Sequence, residues 1–325
     1  MGNKQARGYR TKVVAYEQDT LSQIPDPADG HRLFFRTFGV RGQQDLEESE
    51  TLRGVRGRAE PDLGNKNVAG PMVGEVDAAN IGLLLKHLFG EVSTTGAGPY
   101  EHEFTVNQEG FEKSLLLEKD HGSVISGSGR VERYLGCRVS TAEFNLPRNG
   151  YPTINWDFLG AAHTLNETPL DTDPTDTGFT PFTAFRAGLQ MNDQPLANIT
   201  ELRATLSNDL DDDQYVVGGE GERVDIPEGW FLVSGQITAR FTSADLLQKA
   251  IDGDTVRIVA SLSRGDGSGS AGNEFFELDL EKLRFQRNSP EIDGPRGVQI
   301  TLDFQGFQDG SALAKAVLKN QVESY

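Results

Sequence analysis

One ordered set of landmarks occurs twice along this chain. The first copy reads Val68, Gly70 and Asp77, passes through a short apolar helical pattern to Gly90, and closes on Ile154-Asn155-Trp156-Asp157-Phe158-Leu159-Gly160. The second reads Val233, Gly235 and Thr242, a comparable pattern to Gly253, and Ile300-Thr301-Leu302-Asp303-Phe304-Gln305-Gly306. A repeat in fixed order constrains the fold more than any isolated motif, because each copy has to build the same unit. The expectation is two related domains in tandem, residues 1–165 and 182–325. Residues 166–181, rich in Thr, Asp and Pro and without apolar periodicity, read as the linker. A chain of 325 residues is long enough for each domain to bury a core of its own.

Each copy predicts one short helix. Ile81, Leu84, Leu85 and Leu88 recur at helical spacing, with Asp77 placed to cap the start and Gly90 to end it. In the second copy Leu247, Ala250 and Ile251 share a stripe, Thr242 and Asp245 have capping-box spacing, and Gly253 is the stop. The closing segments alternate with period two: Ile154, Trp156 and Phe158 against Asn155 and Asp157, and Ile300, Leu302 and Phe304 against Thr301 and Asp303. That pattern marks strands with one packed and one wet face. Upstream of each, the apolar phase slips by one residue, from Cys137 and Val139 to Ala142 and Phe144, and from Leu278 and Leu280 to Leu283 and Phe285. A β-bulge at the same place in both copies is predicted. Further strands are expected at Leu33 to Val40, Ser114 to Glu118, Val256 to Leu262, Ala184 to Met191 and Ile199 to Leu206. The fold class is therefore mainly β with one short helix per domain, in two β-sandwich or half-barrel units. Residues 41–66 read as a long, charged, glycine-spaced loop.

Charge and composition exclude several functions. Asp and Glu number 49 against 31 Lys and Arg, a net charge of −18 whose excess lies in residues 166–325. Such a surface repels phosphate and argues against sequence-specific nucleic-acid binding. The single cysteine, Cys137, forms no internal disulfide, the N-terminal residues lack the apolar stretch of a secretory signal, and no run approaches the roughly 20 apolar residues of a membrane span. The expectation is a soluble protein folded in a reducing compartment. The histidines at 31, 87, 102, 121 and 163 lack zinc-site spacing, and the acidic runs 171–178 and 209–213 lack the ligand pattern of a calcium loop. The glycine-rich segment 265–272 has no P-loop lysine and precedes a strand, so it reads as a hairpin tip. No nucleophile, base and orienting group converge, and no enzyme, metal or cofactor is expected.

Several stretches carry a resemblance. Val13-Val14-Ala15-Tyr16-Glu17-Gln18-Asp19-Thr20 followed by Pro25, Gly64-Asn65-Lys66-Asn67-Val68-Ala69-Gly70, Ile81-Gly82-Leu83-Leu84-Leu85-Lys86 and Gly98-Pro99-Tyr100-Glu101-His102-Glu103-Phe104 appear in that order. Leu115-Leu116-Leu117-Glu118-Lys119, Tyr134-Leu135-Gly136-Cys137 and Trp156-Asp157-Phe158-Leu159-Gly160 follow. Together they resemble the major tail tube proteins of long-tailed, siphovirus-type phages, in the version with two tandem tube domains. The second copy lacks the Gly-Pro-Tyr segment. The resemblance implies a structural virion protein whose homotrimeric, pseudo-hexameric rings stack into a tail tube. It would be assembled in the host cytoplasm and contact itself, the tape measure, the distal tail protein and the terminator, while DNA passes through the lumen without specific binding.

Strands with one polar face can join edge to edge into a wide, wet-walled barrel, and an acidic wall lets DNA slide. The basic arm (Lys4, Arg7, Arg10, Lys12) and the mixed charges of the 41–66 loop (Glu47, Glu48, Glu50, Arg53, Arg56, Arg58) are expected to make contacts between subunits or rings. The competing readings are a minor or distal tail protein with the same fold, separable by self-assembly, and a carbohydrate-binding β-sandwich module, which should expose clustered aromatics.

Overall fold

The computed structural model describes residues 5–292, 294–310 and 312–325. The first half of the chain forms β1 (Lys12–Gln18), β2 (His31–Leu33), β3 (Thr37–Phe38), β4 (Arg41–Glu47), β5 (Asp62–Glu75), α1 (Ile81–Phe89), β6 (Gly90–Gly96) and β7 (Tyr100–Val106). It continues through β8 (Ser114–Asp120), β9 (Val131–Pro147), β10 (Thr153–Gly160) and β11 (Ala162–Asn166). The second half forms β12 (Ala187–Met191), β13 (Gln194–Pro195), β14 (Ile199–Ser207), β15 (Leu232–Arg240), α2 (Asp245–Asp252), β16 (Val256–Ser263), β17 (Phe275–Phe285), β18 (Gln299–Gly306) and β19 (Ala314–Asn320). The expected class, mainly β with two short helices, is what the chain adopts, in open antiparallel sheets.

The pairing follows one pattern in both halves. In the first, β2, β1, β8, the start of β9 and β11 lie side by side, while β3 and β4, then β5, β10 and the end of β9 form a second run. In the second, β13, β12, β16, the start of β17 and β19 form one run and β14, β15, β18 and the end of β17 the other. Cross-strand partners match as well. Phe158 lies between Gly70 and Val139, as Phe304 lies between Gly235 and Phe285.

The glycines of the repeat have a common cause. A Cβ on Gly70 would meet the carbonyl oxygen of Gly39, between β3 and β4, and one on Gly235 that of Arg203 on β14. Gly160 and Gly306 leave room for Val68 and Val233, whose side chains would lie 2.7 and 2.9 Å from an added Cβ.

Bulges occur in both long strands, but not where the phase slip equates them. Asp157 faces Thr141 while Phe158 faces Val139, so Ser140 is the extra residue in β9. In β17 the irregularity falls between Leu280 and Leu283. Its counterpart by pairing is an earlier one in β9, between Tyr134 and Cys137, where Gly136 adopts φ +64°. Among the described residues the Ser140 bulge has no partner in the second half. The alternation of Cys137, Val139, Ala142 and Phe144, all buried, identified it correctly, yet it cannot reveal which strand position corresponds to which.

The helices differ in cover. Every residue of α1 except Lys86 is buried. β6, β7, β9 and β19 pack around it, and the Tyr325 ring occupies the space that a side chain at Gly82 would need. Among the described residues the second half has no counterpart of the β6–β7 hairpin, so only Ala250 of α2 is buried and Ile251 is 44% exposed. Both stops are as expected, with Gly90 and Gly253 in left-handed conformation at the C-caps. The starts differ. Asp77 accepts the N–H groups of Ala79 and Asn80 and so caps the turn before α1. Asp245 is itself the first residue of α2 and bonds Ser243 Oγ, so no capping box forms with Thr242. Leu33 to Val40 is broken into β2 and β3, and Ala184–Arg186 is a 3-10 turn that precedes β12.

One hydrophobic cluster runs through both halves, with Leu85, Trp156 and Phe158 from the first and Leu278, Leu302 and Phe304 from the second. The segment between the halves is fastened along the first. Thr175 bridges to His31, Pro181 to Asp77, and Leu170 N–H donates to Glu118.

Candidate assembly surface

The halves are joined edge to edge. β14 pairs with the end of β9 from Ser207↔Thr141 to Glu201↔Pro147, which makes one continuous sheet in the order β4, β5, β10, β9, β14, β15, β18, β17. Its buried face carries Ala142, Phe144, Ala204 and Leu206 at the joint, and the Phe144 ring stacks on Phe276 at 5.8 Å. Its other face is polar. Thr141 donates to Asp157 (3.1 Å), Arg203 to Glu201 (2.6 Å) and Gln236 to Asp303 (2.9 Å). A second joint adds β7 to β19, from Tyr100↔Asn320 to Thr105↔Lys315. Among the described residues the long sheet ends at two edges without partners, β4 on one side and the last residues of β17 on the other. Unpaired edges of this kind are templates for another strand.

The segment 41–66 is not a loop but mostly a hairpin. β4 and the start of β5 pair from Arg41↔Ala69 to Glu47↔Asp62, leaving residues 48–61 as the tip. Alternation could not announce it, since both strands project into solvent. Glu47, Glu48, Glu50, Arg53, Arg56 and Arg58 are all exposed. Arg58 pairs with Glu48 across the tip, and Arg53 donates to the Arg58 carbonyl (2.8 Å). Leu46, Leu52, Val55 and Leu63 stand exposed between the charges.

Arg7 and Arg10 bracket Tyr9, donating to its hydroxyl at 3.4 and 3.1 Å, and Lys12 is exposed at the start of β1. Lys4 lies outside the described residues. No hydrogen bond or ion pair joins this arm to the hairpin among the described residues, so the two expected contact regions are separate surfaces.

Sequence reasoning missed how residues 208–231 lie across the first half. Asn208 Nδ2 donates to the carbonyls of Leu88 and Val139, Lys66 N–H to Gly221, and Tyr215 Oη to Lys66. Arg223 donates to Gly160 and Asn67, and Ile226 is fully buried against Leu159 and Ala161. The isolated apolar Ile226 among charges was the only signal available.

The scattered histidines have structural partners. His102 Nε2 donates to Asn320 Oδ1 (3.2 Å) and the Val322 carbonyl (3.0 Å), and Thr94 bonds its Nδ1. Asn320 also donates to Ala78 O and Tyr325 Oη (both 2.7 Å), tying the last residues to the start of α1. Asn320→Ala leaves these buried groups unpaired and is expected to cost about 1–3 kcal/mol in chemical denaturation. A loss within error would show that water replaces the amide.

Glu17 receives Lys86 (2.7 Å) and His87 (3.0 Å) and couples β1 to α1. Burial acts to raise the Glu17 carboxyl, but the His87 and Lys86 donors outweigh it and hold it well below the carboxylate range. Burial pushes the His87 ring down. Both folded values lie below the unfolded ones, so both contributions are present at neutral pH and are lost on acidification. Melting temperature is expected to fall as pH drops through 6.5, where the unfolded His87 takes up a proton, and again below 4.5, where the unfolded Glu17 does. A flat profile between pH 7 and 4 contradicts this. Burial also pushes the Cys137 thiol up to about 12, which leaves it unreactive.

No group of His, Cys, Asp and Glu able to hold a metal occurs among the described residues, and no helix there is long and apolar enough to cross a membrane. What the geometry offers is sheet edges, a projecting hairpin and a polar sheet face. These are the features of a structural protein built for assembly. A family model described as phage tail tube protein matches residues 8–306, and the chain belongs to that family, whose members are structural components of the virion tail. No curated protein matches the chain.

Proposed function

We propose that three copies of this chain close into a ring, and that such rings stack into the tail tube of a siphovirus-type phage through which the genome is ejected. The observation that carries it is the β9–β14 joint. It fuses two units of like topology edge to edge, and the edges left over, the end of β17 and β3–β4, hold the same places in the pairing pattern as the two strands already joined. Repeating the joint between chains continues the sheet, and three chains give six quasi-equivalent units around a lumen.

The two units, residues 1–165 and 182–325 with 166–181 between them, would then descend from a duplication. The polar face supplies the wall, where Glu143, Asp157, Glu201 and Asp303 are interspersed with Arg203, Arg240 and Arg284, so the DNA backbone meets no continuous basic track and slides. Partners are further copies in the ring and in adjacent rings, the tape measure, the distal tail protein and the terminator, with assembly in the host cytoplasm. The hairpin charges Glu47, Glu48, Glu50, Arg53, Arg56 and Arg58 and the arm residues Arg7, Arg10 and Lys12 serve contacts between copies.

Electron microscopy of the concentrated protein, with native mass spectrometry, tests this. Tubes or rings of three chains with pseudo-sixfold outline are expected; six chains per ring, or a monomer at all concentrations, overturns it. Assembly limited to one or two rings would favour a minor or distal tail component. Deleting residues 45–60 is expected to abolish regular tubes, and normal tubes from that variant would remove the hairpin from assembly.

A further inference from the structure

The two halves treat one equivalent stretch of chain in opposite ways. The connection from Gly42 to Val68 and that from Leu206 to Val233 link matching strands and differ by one residue in length. In the second half this connection folds back over the neighbouring unit, covering β5, β10 and β9 of the first half, as described for Tyr215, Arg223 and Ile226. In the first half it projects as the β4–β5 hairpin, with Leu46 at 61%, Leu52 at 97% and Leu63 at 66% exposure.

The surface that receives it shows the same asymmetry. In the first half Leu159 is 8% exposed beneath Ile226. Arg138, its cross-strand partner, donates to the Ile226 carbonyl (2.6 Å), pairs with Glu228 (3.2 Å) and has a side chain only 13% exposed. The matching positions in the second half are Gln305 and Arg284, which face each other across β18 and β17. Both are exposed, and Arg284 has no carboxylate partner among the described residues; its guanidinium lies over the Phe307 ring at 5.2 Å. Beside them Leu232 is 44% and Trp230 80% exposed. The receiving surface is present, but none of the described residues of the same chain covers it as Ile226 covers Leu159.

We infer that the occupant is a second copy: the outer part of the hairpin of one chain, residues 43–63, lies across the Trp230, Leu232, Arg284, Gln305 and Phe307 surface of its neighbour within the same ring. This placement rests on the proposed ring, because the neighbour's β3–β4 must continue the β17 edge for its hairpin to reach this face. The chemistry of the two docked segments is alike. Ile226 and Glu228 precede Val233 as an apolar anchor and an acid for Arg138; Leu63 with Asp62 and Glu60 precedes Val68 as an apolar anchor with acids for Arg284. Burying Leu63 and Leu232 supplies the apolar driving force, and the acids on Arg284 fix the register.

The experiment is a disulfide pair, Leu63→Cys with Gln305→Cys, in the full chain. Both positions are exposed, and the native Cys137 is buried, so folding and background are controlled. Rings or tubes are first verified by microscopy under reducing conditions, then oxidised and run on a non-reducing gel. A ladder that ends at covalent trimers is expected, because links running head to tail around one ring close on the third copy. No link, or a ladder that continues beyond the trimer as contacts between rings would give, overturns the inference. If the double variant does not assemble, hydrogen exchange and oxidative footprinting of the unsubstituted tubes decide. Trp230, Leu63 and their flanking amides are expected to gain at least tenfold protection over the free chain, and unchanged exposure overturns the proposal. If the unsubstituted chain forms no rings at all, it is the ring reading that has failed, which the microscopy reports separately.

Discussion

Trp156→Ala is expected to lower the free energy of unfolding by about 3–5 kcal/mol, the cost of removing a large aromatic from a packed core. Trp156 is 1% exposed on β10, the strand between β5 and β9, and meets Phe144 edge-on at 6.3 Å. Phe144 in turn stacks on Phe276 of the second half. The void therefore opens beside the contact that couples the halves, and the loss should be felt by both. The substitution also leaves Trp230, an exposed residue of the second half, as the only tryptophan. Denaturant unfolding followed by Trp230 fluorescence and by far-ultraviolet circular dichroism should give one coincident midpoint, shifted down from the parent. A Trp230 transition that stays put while the dichroism moves would mean that the halves unfold independently.

Gly235→Val is expected to cost about 3 kcal/mol, the upper part of the range for overpacking a filled site. The new side chain would run into the Arg203 carbonyl of β14 and the Phe304 ring of β18, neither of which can retreat without opening the ladder. Gly57 in the hairpin tip has nothing within 4 Å of an added Cβ, so Gly57→Val should stay within about 0.5 kcal/mol of the parent. Equal melting temperatures for the two variants would show that the sheet adjusts at Gly235 and that the glycine serves another purpose.

Much of this was legible because burial imposes period. Ile154, Trp156 and Phe158, and Ile300, Leu302 and Phe304, alternate since each strand has the core on one side only. Gly90 and Gly253 end their helices because the left-handed cap favours a residue without Cβ. The outer part of the β4–β5 hairpin left no such trace, as residues 43–47 and 62–63 have solvent on both faces. The two covers of α1 were equally hidden. Ile81, Gly82, Leu83, Leu84 and Leu85 are apolar all round, which signals enclosure, but the identity of the roof, β19 and Tyr325, depends on contacts more than 200 residues away in sequence. The proposed assembly surface was legible only in part. Charge on 41–66 drew attention to the hairpin, whereas the face proposed to receive it is made of Leu232, Arg284 and Gln305, which no local pattern connects.

The β6–β7 hairpin, which adds β7 to β19 and occurs in the first half alone, has a consequence for any closed ring. The seam inside a chain is stitched twice, by β9–β14 and by β7–β19, while a seam between chains in the proposed ring would inherit only the first stitch. A cylinder built this way has rigid and compliant seams in strict alternation, so curvature and breakage would concentrate at every second one and the cylinder would come apart as whole molecules.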